Sequence, residues 1–336
     1  MSAKISPRSE LSLRAIAQQS PEDWSFALRE FVKTTGASGP IEAAESVASK
    51  VLERYSENFP LNSSAISVRH ICQLLRIELR GSVPKVVKPR SLSSLGYANV
   101  SEKKSVAKLI ISHRNPIIDV ADAHPARSRI GIAHEIGHFL IHARGEELDV
   151  NTLRSNSSPE EELLSEYIGR LLLLPRGTFQ AHFHSDAWSL ACLNAASNAI
   201  VSIHAAAQRT ADPDQIGRKP EGAIYWKLHP TASIDLPVER RLTPFWHLFP
   251  AAFIPIRRCH VKGGSVIGMV ANAEGNSSAI AEEDVEIGSL KGRYVVDSFA
   301  WGSLRSGSRT VLSLFFAPTT GISSGLGKLK SQHLLG

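Results

Sequence analysis

Two histidines and a glutamate in the run His134-Glu135-Ile136-Gly137-His138 form the clearest chemical pattern in the sequence. Residues four apart lie on one face of an α-helix, so His134 and His138 can offer ring nitrogens to the same metal ion. Glu135 lies about 100° around the helix, where its carboxylate can take a proton from a water molecule beside the metal. The spacing therefore predicts a zinc hydrolase site, with His134 and His138 as ligands and Glu135 as general base.

The residues around this pattern are mostly apolar, which predicts a buried helix that ends at Arg144 and Gly145. Polar side chains on a buried helix need partners, so the alternative to metal binding is that hydrogen bonds in the core satisfy the histidines. His142 is not predicted as a ligand, because it lies about 12 Å from His134 along a straight helix. We interpret it as a helix-end residue.

A third ligand is expected, because a catalytic zinc takes three protein ligands and leaves one position open for water. The best source is the next predicted helix, which runs from a cap at Ser158 to a stop at Pro175. Glu162 and Glu166 lie four residues apart on one face of it. Glu162 is predicted as the ligand, with Glu161 as its competitor, and Glu166 as the carboxylate that orients a ligating histidine.

The two predicted helices carry an extended signature. Residues 127–142 read R-x-R-I-x-I-A-H-E-I-G-H-F-L-I-H, and residues 162–175 read E-x-x-S-E-x-I-G-x-x-L-L-x-P. This pair resembles the motifs of the ImmA/IrrE family of metallo-endopeptidases, R-x-R-F-T-x-A-H-E-L-G-H followed by E-x-x-A-x-x-F-A-x-x-L-L-x-P. The resemblance implies that His134, His138 and Glu162 bind zinc and that Glu135 is the general base.

The chain departs from the family pattern in the second motif. Ser165 and Gly169 replace alanines, Ile168 replaces phenylalanine, Leu174 replaces methionine, and Leu164 stands where a second glutamate is frequent. None of these changes removes a predicted ligand, so an active site is expected.

Other histidines and a tyrosine are candidates for the remaining chemistry of peptide hydrolysis. The oxyanion of a tetrahedral intermediate needs a hydrogen-bond donor. Tyr167, His182 and His184 are candidates for this role or for substrate binding, and the sequence does not choose among them. His124 precedes the zinc helix and could reach the site, although an exposed loop histidine is the preferred interpretation.

A small sheet and flanking helices are predicted around the motifs. Two helices, one opening at Pro40 and one following residues 61–64, precede strands at 77–81, 107–112 and 116–121. The last two strands should form a hairpin. The edge that this pair offers is a place where an extended substrate could add as a further strand.

The segment 190–209 resembles the closing helices of the family, which often have a helix-turn-helix-like fold. Residues 202–209, at the position of a recognition helix, are poor in side chains that read bases. Packing is therefore preferred to direct DNA binding.

The fold class expected is α+β, a zinc-peptidase domain of helices packed on a small sheet followed by a mostly β domain. The boundaries predicted are an N-terminal extension at 1–38 with one short helix, a peptidase domain at 39–210, a linker at 211–222, a mostly β domain at 223–320 and a tail at 321–336. Strands of the β domain are expected at 223–228, 252–256, 265–270, 293–299 and 310–316. This domain could sense a ligand or dock a substrate, or it could be a rigid module or interface.

Composition and charge limit the partners and the cellular compartment that can be expected for the protein. Its 336 residues carry a formal net charge of +6, but the basic residues are scattered and no aromatic side chains interleave with them, so no nucleic-acid groove is indicated. No apolar run is long enough to span a bilayer. Cys72, Cys192 and Cys259 have no metal-type spacing and suit a reducing compartment, so the cytoplasm is expected.

Three functions follow from these features. The first is a zinc endopeptidase whose substrate, as the resemblance implies, is a helix-turn-helix repressor, so that cleavage switches on stress or mobile-element genes. The second is a DNA-binding regulator with a structural metal site, and the third is a toxin–antitoxin or phage-linked interaction protein. Zinc is the expected metal, although manganese and iron accept the same ligands. The sequence does not define the oligomeric state.

Overall fold

The fold is known from a computed structural model, which describes residues 13–59, 65–81, 107–111, 116–121, 123–144, 147–148, 157–183, 188–215, 219–228, 236–248, 261–262, 264–287, 290–304, 308–318 and 330–331. The chain divides into two compact units. The first comprises Met1–Arg90, Leu95–Phe179 and Ala195–Asp214, and the second comprises Ser91–Ser94, Gln180–Asn194 and Gln215–Gly336.

Helices make up most of the first unit. They are α1 (Leu13–Gln18), α2 (Phe26–Thr35), α3 (Pro40–Asn58), α4 (Val68–Leu74), α5 (Pro125–His142), α6 (Pro159–Leu173), α7 (Arg176–Gln180), the last residues of α8 (Trp188–Ala199), and α9 (Ile203–Ala211). In the predicted N-terminal extension, α2 begins at Phe26, because the hydroxyl of Ser25 caps it by accepting a hydrogen bond from the Leu28 amide. Its last residue is Thr35, and Gly36 caps it in the left-handed conformation.

A three-stranded sheet in the first unit has the order β1-β3-β2, formed by β1 (Glu78–Gly81), β2 (Ala107–Ile111) and β3 (Pro116–Val120). β1 runs parallel to β3, and β2 runs antiparallel to it. The predicted pairing of the last two strands is therefore confirmed, and β2 is one of the two edge strands of the sheet that the described residues form. Two further short strands, β4 (Ala143–Arg144) and β5 (Glu147–Leu148), pair with each other.

The helix that carries the two histidines, α5, ends earlier than predicted. It begins at Pro125, and the side chain of His124 caps it by accepting a hydrogen bond from the Ala126 amide. It ends at His142, because Ala143 is extended and pairs in β4 rather than continuing the helix. The predicted end at Arg144 and Gly145 was therefore wrong, and Gly145 lies outside the described residues. His124 is a helix cap.

Helix α6 forms as its sequence predicts. The hydroxyl of Ser158 accepts a hydrogen bond from the Glu161 amide, Pro159 occupies the first helical position, and the helix ends at Leu173, two residues before Pro175. The contact between α5 and α6 is unusually close, because a glycine of each helix faces the backbone of the other. A Cβ atom on Gly137 would lie 2.5 Å from the carbonyl oxygen of Ser165, and one on Gly169 would lie 3.0 Å from the backbone of Ala133.

Replacement of Gly137 by alanine should therefore destabilise the first unit. The added methyl group meets backbone, which cannot rotate away as a side chain can, so the helices must separate. We expect the free energy of unfolding, measured by urea denaturation, to fall by about 1–3 kcal/mol. Gly177→Ala is the matched control, since nothing lies within 4 Å of its added Cβ. Equal stabilities for the two variants would contradict the close packing.

Buried ion pairs hold the C-terminal residues of the first unit against α6 and α9. Arg170 on α6 donates two hydrogen bonds to Asp212, at 3.0 and 2.7 Å. Arg209 on α9 bonds to Asp214 with both terminal nitrogens, and its Nε donates to the carbonyl oxygen of Leu174. The compact unit therefore extends to Asp214 and includes the first residues of the segment predicted as a linker from 211.

The second unit is built on an antiparallel sheet of order β11-β8-β9-β10-β6-β7. Its elements are β6 (Gly222–Leu228), α10 (Val238–Arg241), β7 (Leu242–Leu248), α11 (Val266–Asn272), β8 (Ser277–Ile287), β9 (Leu290–Trp301), β10 (Thr310–Phe316) and β11 (Lys330–Ser331). Helix α11 packs on one face of the sheet over buried residues that include Trp226, Val296 and Phe315. The predicted α+β class is confirmed.

One predicted strand of this unit is a helix. Residues 265–270 were expected to be extended, but α11 spans Val266–Asn272, and the hydroxyl of Ser265 caps it by accepting a hydrogen bond from the Gly268 amide. Val266, Ile267, Val270 and Ala271 are all buried, with the spacing of a helix that packs on a sheet. The predictions at 223–228, 293–299 and 310–316 correspond to β6, β9 and β10, whereas 252–256 lies outside the described residues. In the predicted tail, Lys330 and Ser331 pair with β8.

Candidate metal centre

The side chains of His134 and His138 converge, as their spacing on α5 requires. Their Nε2 atoms lie 3.1 Å apart. The side chain of His138 is nearly buried at 8% exposure, whereas that of His134 is 21% exposed. The pair therefore presents two imidazole nitrogens to one point that solvent can reach from the His134 side.

Glu162 on α6 completes a three-residue group with these histidines. One carboxylate oxygen lies 3.5 Å from Nε2 of His134, and the other lies 3.5 Å from Nε2 of His138. For metal bonds of about 2.0–2.2 Å and tetrahedral angles, ligand atoms lie about 3.3–3.6 Å apart. The two 3.5 Å separations, which involve different oxygens of Glu162, fall within this range, and the 3.1 Å between the two Nε2 atoms is slightly shorter. The residues present therefore fit a tetrahedral ion with three protein ligands.

The charges within the group also suit a cation. Hydrogen bonds with His134 and His138 hold the pKa of Glu162 far below its ordinary value, more strongly than burial raises it. Burial would lower the pKa of His134, but Glu162 and the neighbouring Glu135 and Glu166 raise it overall. Glu162 is thus an ionised carboxylate beside two nitrogens, and two neutral imidazoles with one carboxylate are a common zinc ligand set.

Glu135 lies beside these three residues and contacts the sheet. Its Oε2 accepts a hydrogen bond from the Leu109 amide of β2 at 2.8 Å. Burial is the largest influence on its carboxyl group and raises its pKa, while His134 and the Leu109 amide act in the opposite direction. A general base is more effective with a raised pKa. The second carboxylate oxygen remains for a water molecule or substrate.

Glu161, the competing ligand, points elsewhere. Its carboxylate is buried, accepts a hydrogen bond from the Ser25 hydroxyl at 2.7 Å and lies 3.4 Å from Nε2 of His142. Burial would raise its pKa, but these two partners lower it overall. His142 is therefore the partner of Glu161. Of the two adjacent glutamates, Glu162 is the one placed with the histidines.

The other predicted site residues are placed differently. Glu166 is half exposed, and its carboxylate lies 4.0 Å from Arg170 one turn further along α6, so its role in orienting a histidine stays a prediction. Tyr167 is fully buried, and its hydroxyl group contacts the carboxylates of Glu45 at 2.8 Å and Asp214 at 3.3 Å. These contacts argue against the oxyanion role for Tyr167. His182 belongs to the second unit, and His184 lies outside the described residues.

Arg129 fixes the place of α5, a role that its position in the motif does not reveal. The side chain is fully buried and donates to the carbonyl oxygens of Ile66 at 2.7 Å, Ala199 at 3.1 Å and Ile200 at 3.2 Å. Burial lowers its pKa to about 10, so it stays charged near neutral pH. The carbonyl groups of Ala199 and Ile200 at the end of α8 are thereby held against α5, ahead of His134.

The sequence did not predict the contact of the Leu109 amide with Glu135 or that of the Ser25 hydroxyl with Glu161. The Leu109 contact uses a backbone amide, which every residue except proline has, so no residue type marks it. Ser25 bonds to a residue 136 positions away, and no local pattern signals that distance.

An H-E-x-x-H helix with a carboxylate from a following helix as the third ligand is the arrangement of a metallopeptidase centre. The family comparison leads to the same class. Residues 96–210 match the model of the IrrE N-terminal-like domain, Peptidase_M78. The match supports an ImmA/IrrE-family peptidase domain at residues 96–210, and this segment contains β2, α5 and α6.

Comparisons beyond this domain are less informative. No curated protein matches the chain. Among solved structures, a Mycobacterium tuberculosis transcriptional regulator is similar at 13% identity, over 89% of this chain and 81% of that chain, with a TM-score of 0.38. A similarity at that score does not define a shared fold or function. None of the helices in the described part of the chain has the length and apolar character needed to cross a membrane.

Proposed function

We propose that the protein is a zinc-dependent endopeptidase that makes a specific cut in a helix-turn-helix transcriptional repressor and thereby derepresses stress or mobile-element genes. The observation that carries the peptidase proposal is the triangle of His134, His138 and Glu162, with Glu135 beside it. The match of residues 96–210 to a peptidase family supports a protein substrate, and the choice of a repressor follows from the resemblance of the two motifs to the ImmA/IrrE family.

Each residue has a distinct task in this proposal. His134, His138 and Glu162 would hold the ion, and zinc would supply Lewis acidity to polarise the scissile carbonyl group and acidify water. Glu135 accepts the proton of the attacking water and passes it to the leaving amine. Its raised pKa favours this transfer, and the Leu109 amide keeps one carboxylate oxygen in place.

The edge strand β2 is the surface we propose for the substrate. Because the Leu109 amide points to Glu135, the pair formed by Leu109 and Ile118 is of the non-hydrogen-bonded type. The carbonyl group of Leu109 therefore also points away from β3, toward the side on which the general base lies. An extended peptide could pair there by strand addition, which favours a cut in a linker or loop of the repressor rather than inside a helix.

Direct DNA binding receives less support. Helix α9, which holds the position of a recognition helix, buries Ile203, Ala205, Ala206, Ala207, Arg209 and Thr210. A recognition helix must lay its side chains in the major groove. With most of α9 in the core of the first unit, packing is the better interpretation.

The test is a substrate screen read by intact-mass spectrometry. Purified protein loaded with one equivalent of zinc is incubated separately with helix-turn-helix repressors from the same genome. We expect one repressor to yield two fragments whose masses sum to the intact mass plus one water, and a chelator should abolish the products. Repressors that stay intact while the protein binds them would favour an interaction function. Salt-sensitive, sequence-specific DNA binding by the protein alone would favour a regulator.

A further inference from the structure

We propose that Ser25 and Glu161 are positioning residues of the metal centre, through which the N-terminal helix α2 sets the place of the ligand Glu162. This inference rests on the metal site proposed above. It assigns a function to part of the N-terminal segment, which lies outside the matched family domain.

Ser25 contacts Glu161 directly, and its hydroxyl acts both as a hydrogen-bond donor and as an acceptor. Ser25 Oγ accepts a hydrogen bond from the Leu28 amide at 3.2 Å, which caps α2, and donates one to Glu161 Oε1 at 2.7 Å. The other oxygen of Glu161 lies 3.4 Å from Nε2 of His142. One carboxylate therefore joins the start of α2, the last residue of α5 and the first turn of α6.

A buried carboxylate without partners is costly, so these contacts hold the first turn of α6 in one position. Glu161 is 6% exposed, and His142 is 5% exposed. Helix α2 also packs at this place, since Phe31 and Thr34 line the same small cleft as Ile141 and His142. The arrangement is therefore part of a packed contact between α2 and the end of α5.

Metal binding should depend on Glu161 because its neighbour in the sequence is a proposed ligand. Glu162 is the next residue after Glu161, and its carboxylate reaches both histidines only while the first turn of α6 keeps its rotation. Release of Glu161 would let this turn rotate or fray, and ligand atoms would leave the tetrahedral triangle. Residues that hydrogen-bond directly to a metal ligand typically contribute 10- to 100-fold to metal affinity, and Glu161 acts one residue away, so we expect an effect near the lower end of that range.

The experiment measures zinc affinity of the full chain by competition with a chromophoric chelator. Ser25→Ala removes both functions of the hydroxyl. Ser25→Asp keeps an acceptor for the Leu28 amide, and thus the cap, but cannot donate to Glu161. Ser25→Thr keeps both. We expect about tenfold or greater loss of affinity for the alanine and aspartate variants, and near wild-type affinity for threonine.

A second pair of variants tests the carboxylate. Glu161→Gln should weaken zinc binding to a similar extent, whereas Glu160→Gln removes a neighbouring charge from the same turn and should not. Thermal unfolding in excess chelator separates positioning from general stability. Positioning predicts that the melting temperature with chelator changes little, while the rise on adding zinc becomes smaller.

Two results would overturn the inference. One is zinc affinity of Ser25→Asp equal to that of Ser25→Thr. The other is a loss of melting temperature in Glu161→Gln that is equal with and without zinc. Either leaves the peptidase proposal intact if wild-type protein binds zinc and cuts. Wild-type protein that binds no zinc would instead contradict the metal site itself.

Discussion

Glu135→Gln should abolish peptide cleavage while leaving the fold and the metal in place. The amide has the size of the carboxylate and can still accept the hydrogen bond of the Leu109 amide, but it cannot take a proton from water. General acid–base groups typically contribute 10²–10⁴-fold to rate, so we expect a loss of about that size. The measurement is the initial rate of fragment formation from the repressor that the screen identifies.

Circular dichroism and zinc stoichiometry of the same preparation show whether Glu135→Gln remains folded and loaded. Glu160→Gln on α6 is the control, because it removes a carboxylate outside the three-residue group and should cut at the wild-type rate. A Glu135→Gln protein that cuts at the wild-type rate would show that Glu135 is not the base. The source of the proton transfer would then have to be sought elsewhere in the first unit.

Local spacing explains why much of the site could be predicted from the sequence. His134 and His138 lie on one helical face whatever surrounds the helix, and the structure places their Nε2 atoms 3.1 Å apart. The choice between Glu161 and Glu162 depends on the rotation of α6, since adjacent residues point about 100° apart. The pairing of Glu162 with Glu166 on one face favoured Glu162, and its position beside the histidines agrees, although its role as a ligand stays a prediction.

Contacts between distant segments explain what the sequence did not reveal. Ser25 reaches Glu161 only because α2 packs at the end of α5. The hydroxyl of Tyr167 likewise forms hydrogen bonds with Glu45 and Asp214, which are distant in the sequence. No local sequence pattern predicts either of these contacts. Long-range contacts of this kind place an N-terminal helix against the proposed metal centre.

In the second unit, the spacing of apolar residues did not predict every helix and strand. Residues 266–270 are rich in β-branched side chains, but the cap at Ser265 and the burial of one face make them a helix. The strand β8 was missed because Glu282, Glu283 and Asp284 interrupt its apolar pattern, yet it pairs with β9 along its whole length. Strand formation there depends on the partner strand more than on intrinsic preference.

Glu162→Ala and His138→Ala should each remove the metal. A catalytic site with three protein ligands is expected to hold about one zinc per chain, and loss of a ligand leaves two donors that cannot fix the ion. We expect zinc content, measured by native mass spectrometry, to fall from about one equivalent to near zero in both variants. Chelator competition should show a loss larger than the 10- to 100-fold typical of a supporting residue.

Three variants in consecutive positions of α6 make this test specific. Glu160→Ala should keep full zinc, Glu161→Ala should bind it more weakly, and Glu162→Ala should lose it, because only the last carboxylate lies 3.5 Å from a nitrogen of each histidine. Zinc retained in Glu162→Ala but lost in Glu161→Ala would reverse the assignment and require α6 to rotate by about 100° when metal binds. Absence of metal from the wild type, even after zinc is supplied, would favour a protein that binds its partner without cutting it.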